Sequence, residues 1–165
     1  MDVLLTIVVI VITIKWGDYK NWRAYYPTFL FWALGNFLYL HLTKAKPLWV
    51  FTTPLVPRQI ADILMALFMF PCFLLLFLPY YPEKGTLKKS SYILLWVFIF
   101  SCIEFWAIKI GHFAYFNGWR FLYSVIFNIF MFILIVIHQK SPFWAWVISI
   151  FAAIILMVLF KIPIS

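Results

Sequence analysis

Long apolar runs, broken by short polar or proline-bearing stretches, dominate the chain. Six emerge: Val3 to Trp16, Pro27 to Thr43, Ile60 to Tyr80, Ser91 to Gly111, Arg120 to Ile137 and Ser141 to Phe160. Their apolar positions do not alternate with polar ones as the strands of a membrane barrel must, and open strands cannot span lipid, so all six are predicted helices. A helix needs about 20 residues to cross roughly 30 Å of hydrocarbon. The expected fold is therefore all-α: a polytopic membrane helix bundle of six transmembrane helices, forming a single domain over residues 1–165 (helices about 3–16, 27–43, 60–80, 91–111, 120–137 and 141–160). The first run is the shortest and is rich in Val and Ile, so it must recruit Lys15 and Trp16 by snorkelling or lie tilted. No basic region precedes it and no small-residue cleavage site follows, which reads as a retained helix rather than a signal peptide.

The linkers differ in kind. GDYKNWRAYY mixes charge with aromatics and reads as an interfacial segment ending at Pro27, a residue suited to opening a helix. In PLWVFTTPLVPRQ, Pro47, Pro54 and Pro57 deny a continuous helix, while Leu48 to Phe51 are too apolar for a solvated loop. That segment is expected in the interface or dipping into the bundle. YPEKGTLKKS reads as a polar turn and FNGW as a tight one. Pro71, mid-way along the third run, should bend its helix.

Composition agrees with a membrane chain. Of the 165 residues, 67% are hydrophobic and 11% charged, against about 25% charged in ordinary globular domains. Many aromatics sit where apolar runs end, namely Trp16, Trp22, Tyr25, Tyr26, Trp49, Tyr80, Tyr81, Tyr115, Trp119 and Trp144; amphipathic rings settle at headgroup level, so these read as interfacial belts. The net charge of +8 comes from Lys and Arg in short loops beside apolar runs, where they orient helices and meet anionic lipid, and nucleic acid is rejected as a partner. Odd-numbered loops carry seven of these cations and even-numbered loops with the tail carry six, a split too even to fix orientation. Cys72 and Cys102 fall within predicted spans without metal-ligand spacing and read as buried thiols.

An internal match suggests two halves. Ile14-Lys15-x-Gly17 and Asn21-Trp22-Arg23-x-x-Tyr26 are answered by Ile108-Lys109-x-Gly111 and Asn117-Gly118-Trp119-Arg120-x-x-Tyr123, and Pro47-x-Trp49 by Pro142-x-Trp144. Three helices per half would make the second enter the membrane upside down, a 3+3 inverted repeat of the kind that builds transporters.

Glu104 stands out chemically. It lies within SSYILLWVFIFSCIEFWAIKIGHF with no charge between Lys89 and itself, and an ionised group in mid-membrane costs roughly 2.5–3.5 kcal/mol, so such residues face a bundle interior and mark function. Lys109, five positions on, points about 140° away and is expected to snorkel rather than pair with it. His112, eight positions on, lies about 80° round the same helix. Asn36 and Asn128, mid-way along helices two and five, are the natural partners at similar depth, with helix-to-helix bonding as their structural alternative. Gly35, beside Asn36, would permit close backbone approach. His41, His112 and His138 lie near helix ends without an HxxxH or HExxH pattern, so no metal or cofactor is expected. Arg58 and Asp62 have the spacing of an intrahelical ion pair. No phosphate loop, nucleophile elbow or acidic cluster is present, and five carboxylates with one deep make an enzyme the least favoured class.

NWRAYYPTFLFWALGNFLYLHLTKAKPLW, FPCFLLLFLPYYP, ILLWVFIFSCIEF and FNGW together resemble an uncharacterised family of small multi-pass membrane proteins from spore-forming Gram-positive bacteria, over roughly Trp16 to Ile148. The resemblance implies a cell-membrane address and a polytopic architecture but no activity. In size, helix count and aromatic richness the chain is also similar to the substrate-capturing subunits of energy-coupling vitamin transporters. Their first helix docks through an alanine pair, however, and Val3 to Ile14 contains no alanine. Two functions remain in view. One is a membrane-embedded binding or transport module in which Glu104, Asn36 and Asn128 surround a small ligand or cation and His112 guards one exit. The other is a partner, sensor or lipid-organising subunit, alone or as a homo-oligomer, whose polar residues only hold helices together.

Overall fold

The computed structural model describes residues 3–52 and 57–163, so Pro54 lies outside the described residues. Among these are six helices, α1 (Val3–Trp16), α2 (Trp22–Leu42), α3 (Arg58–Tyr80), α4 (Thr86–Lys109), α5 (Phe121–Lys140) and α6 (Pro142–Leu159), and two short strands, β1 (Trp49–Phe51) and β2 (Phe113–Tyr115). Four of the described helices, α3 to α6, are long and apolar enough to cross a membrane. At 14 residues α1 is shorter than a span, and in the 21-residue α2 the polar Arg23, Asn36 and His41 dilute the hydropathy.

Helix starts are where the structure departs most from the sequence pattern. α2 begins at Trp22 and carries Pro27 inside it, not at its head. The missing N–H there orphans only the carbonyl of Arg23, close enough to the helix end to be met by other partners. α4 begins at Thr86, just after Gly85 at φ 87°, so the polar KKSS stretch supplies a first turn where a loop was expected. The bend expected at Pro71 takes the form of a π-turn over Met65–Met69, immediately ahead of it. Widening the helix there takes up the ring's clash with the preceding turn.

The helices alternate in direction. Lys46, just past α2, donates through Nζ to the carbonyls of Phe160 (2.8 Å) and Lys161 (3.3 Å) beyond α6, and at the opposite end Tyr80 donates to the carbonyl of Trp16 (2.7 Å). The ends of α2, α4 and α6 therefore share one side with the strand pair. α5 is central, packing on α2, α4 and α6, while α1 lies against the second half of α3. The core joins Met69, Leu74 and Phe77 of α3 to Phe132 and Ile135 of α5, with Trp32 stacked flat on Phe70 at 4.4 Å. Half of the most apolar window of α3 is buried, against 6% of that of α6, whose apolar surface faces outward.

Among the described residues the fold is all-helical apart from the one short strand pair. β1 and β2 pair antiparallel with Trp49 opposite Tyr115 and Val50 opposite Ala114, and Leu48 and Val50 are buried, so the described start of the proline-bearing linker, residues 47–52, folds onto the bundle. The FNGW turn closes with Trp119 N–H donating to the carbonyl of Phe116 (3.0 Å), with Asn117 and Gly118 both at positive φ (53° and 86°). That combination marks a tight primed turn. The strands also bear on the internal match, since Trp49 lies in a strand and Trp144 in the first turn of α6. In the first half α3 touches both companions; in the second it is α5, the counterpart of α2, that does so. The main packing therefore differs between the two halves.

Candidate functional site

Glu104 lies five residues before the end of α4, half-buried, and its two oxygens accept from different elements. The phenol of Tyr115 on β2 donates to Oε1 at 2.6 Å, and the amide of Asn128 on α5 donates to Oε2 at 3.4 Å. Burial, followed by that bond to the carboxylate, holds the Tyr115 phenol well above its ordinary range, so it remains a proton donor at any working pH. Ser124 of α5 lines the same cavity, and its hydroxyl accepts from the Trp119 indole at 2.8 Å. Lys109 makes no ion pair with Glu104; its ammonium lies 5.5 Å from the Phe105 ring at the exposed end of the helix.

The end of α4 is built to deliver His112. Gly111 at φ 76° takes the left-handed position, with its N–H bonded to the carbonyl of Ile108 (3.1 Å) and that of His112 to Ala107 (2.8 Å). These two bonds form a glycine-dependent helix stop. His112 is therefore off the helix, not on its face as the spacing suggested, and its carbonyl accepts from Thr52 N–H (3.0 Å) across the strands.

Three aromatics expected in the interfacial belts are instead part of this site. Trp119 is buried, Tyr115 holds the carboxylate, and Trp49 stacks flat on Tyr39 at 3.9 Å while leaning on Trp119 at 4.8 Å. The Tyr39 hydroxyl is saturated by the same strand, donating to the carbonyl of Trp49 (2.9 Å) and accepting from the N–H groups of Trp49 (2.8 Å) and Leu48 (3.1 Å). Trp16, Trp22, Tyr80 and Trp144 do remain exposed, as belt residues would. PLWVF and HFAYF are both rich in strand-forming aromatic and β-branched residues and flanked by turn residues, the one local signal that they pair.

Beside Glu104 lies a cavity of about 550 Å³ with mostly apolar walls. All four residues singled out from sequence, Glu104, Asn36, Asn128 and His112, line it together. Asn36 Nδ2 and His112 Nδ1 are buried without a protein partner. Buried polar atoms are rarely left so, which points to a missing partner. The π-turn contributes Met65 and Met69 to the wall. Gly35 also lines the cavity, and a Cβ placed there would meet nothing within 4 Å, so its role is to leave space and not to admit a neighbouring backbone.

Other polar residues stand apart. His138 is buried against Phe31 at 4.1 Å and bonded to Thr28 (2.9 Å), whose hydroxyl proton goes to Gln139 (2.8 Å), and His41 is exposed. Arg58 and Asp62 form the expected pair at 3.8 Å. Among the described residues no three His, Cys, Asp or Glu side chains converge as metal ligands. Comparison with family models, curated proteins and solved structures finds no match to this chain.

Proposed function

We propose that this chain is a multi-pass integral protein of the cell membrane, with all six helices in the bilayer, that binds a small ligand beside an intramembrane glutamate for capture or transport. The convergence of Glu104, Asn36, Asn128 and His112 on one cavity carries the reading. A volume of about 550 Å³, apolar walls and a few polar groups are the usual anatomy of a small-molecule site. A bare cation fits less well, since hard cations want six or more oxygens and this cavity offers few. The unburied apolar faces of α4 and α6 suit acyl chains.

A second reading has its own support. Both oxygens of Glu104 already accept from protein donors, which would suffice if the acid only tied α4 to β2 and α5 within a partner or lipid-organising subunit. Native mass spectrometry of the purified protein and of Glu104→Gln separates the two. The binding reading expects a co-purifying small molecule on the wild type and at least tenfold less on the variant at similar thermal stability. Equal loading of both proteins, with stability alone reduced, would support the structural role.

A further inference from the structure

The cavity has a framed opening. α2 and α6 meet at one end through Phe31 and Trp146, edge to face at 4.8 Å, and at the other through the bonds from Lys46 to the carbonyls of Phe160 and Lys161. Between these two ties the helices make little direct contact; both flank α5. The facing positions in that gap include Gly35 and Leu38 of α2 and Ser149, Ile150 and Ala153 of α6, and all of them line the cavity. Three are small, and Leu38 and Ile150 are exposed on the outer surface. In a bundle surrounded by acyl chains such a gap opens sideways, into the bilayer rather than to water.

The interior is graded along the helix axes. Glu104, His112 and Tyr115 lie on the strand-pair side, Asn36 sits mid-way, and Phe31, Phe73 and Trp146 wall the far part. No Lys or Arg lines the cavity among the described residues. An anionic headgroup drawn inside would meet a carboxyl with no cation to offset it, and an unpaired buried charge is costly. A cationic ammonium head only donates, so even where it shared the acceptor sites that Tyr115 and Asn128 leave open on the acid it would leave the Asn36 donor unmet. What lacks a partner is the Asn36 amide nitrogen, a donor, and the His112 Nδ1. Both are met by a neutral ligand carrying hydroxyl or carbonyl oxygens, and a hydroxyl of such a ligand can also donate to an acceptor site that Tyr115 and Asn128 leave open on Glu104.

We infer that the α2–α6 gap is a lateral portal for a neutral amphipathic lipid, its oxygen-bearing head at Asn36 and His112 and its chain against Phe31 and Trp146. The inference rests on the membrane-embedded binding reading and adds to it the ligand class and the route.

The test uses the purified full chain in detergent and three single-chain probes of matched hydrocarbon length: a monoacylglycerol (neutral), a lysophosphatidylglycerol (anionic) and an alkylamine (cationic). Retention is read by native mass spectrometry. The wild type should hold one monoacylglycerol at least tenfold above either charged probe. Gly35→Leu, at a position where an added Cβ meets nothing within 4 Å, should lower that retention about tenfold at unchanged melting temperature, and Ala153→Leu on the facing wall should do the same. Preference for the alkylamine that disappears in Glu104→Gln would overturn the lipid inference while leaving the binding site standing. So would equal retention of the lysophosphatidylglycerol. Retention of all three probes unchanged by Gly35→Leu, Ala153→Leu and Glu104→Gln would overturn the inference and the binding reading together.

Discussion

Tyr115→Phe is the sharpest perturbation of the carboxylate cluster. The ring is kept, so packing against Phe113 is unchanged, and the only atom removed is the hydroxyl that donates to Glu104 at 2.6 Å. Hydrogen bonds to charged acceptors contribute ~1.5–3 kcal/mol in soluble proteins, whereas interhelical bonds in membrane bundles average ~0.6 and reach ~1.7. A short bond to a half-buried acid belongs near the top of the membrane range, about 1.5 kcal/mol. The longer Asn128 bond, at 3.4 Å, belongs near the average, so Asn128→Leu should cost about 0.5 kcal/mol through hydrogen bonding. For a chain of this length, 1.5 kcal/mol corresponds to about 3–6 °C in melting temperature. Thermal unfolding in detergent, run as a double-mutant cycle with Glu104→Leu, reads the coupling directly. Tyr115→Phe should lose most of its effect once the acid is gone. Additive losses, or a Tyr115→Phe penalty no larger than that of Asn128→Leu, would refute the network.

Two glycines should respond with opposite signs. Gly35→Ala should raise stability by about 0.5–1 kcal/mol, because its Cβ meets nothing and the chain loses backbone freedom only in the unfolded state, whereas Gly111→Ala at φ 76° should cost about 1–2 kcal/mol. The same thermal assay checks both. Lys46→Met removes the donor that ties the loop after α2 to the end of α6 and should cost about 1 kcal/mol, with faster hydrogen exchange at Phe160 to Ile162 as the local readout. Thr28→Val strands the Nδ1 of buried His138 and should destabilise by about 1–3 kcal/mol without altering ligand retention, since neither residue lines the cavity.

The helices were legible because an apolar run long enough to cross lipid has one stable form, and Glu104 because a lone charge inside such a run must be accounted for. Asn36 and Asn128 could be grouped with it by depth, and His112 by its spacing along the same run. Tyr115, Trp119 and Trp49 could not, because an aromatic at the end of an apolar run suits a headgroup belt and a buried site equally, and only the strand pairing decides. That pairing joins segments more than 60 residues apart, each three residues long, too short for a periodic signal. His112 was misplaced for a related reason: Gly111 has the freedom to end a helix, but whether it does depends on what the next residues bond to. Gly35 is the converse case, since a small residue beside a polar one suits close packing and empty space alike.

The most direct test is an experimental density map of the purified protein in lipid, prepared without added ligand. Non-protein density should run from the gap between Gly35 and Ala153 to the neighbourhood of Glu104, Asn36 and His112. A map with α2 and α6 closed onto each other, or with the Glu104 side chain turned outward to the acyl chains, would contradict a ligand site at this position.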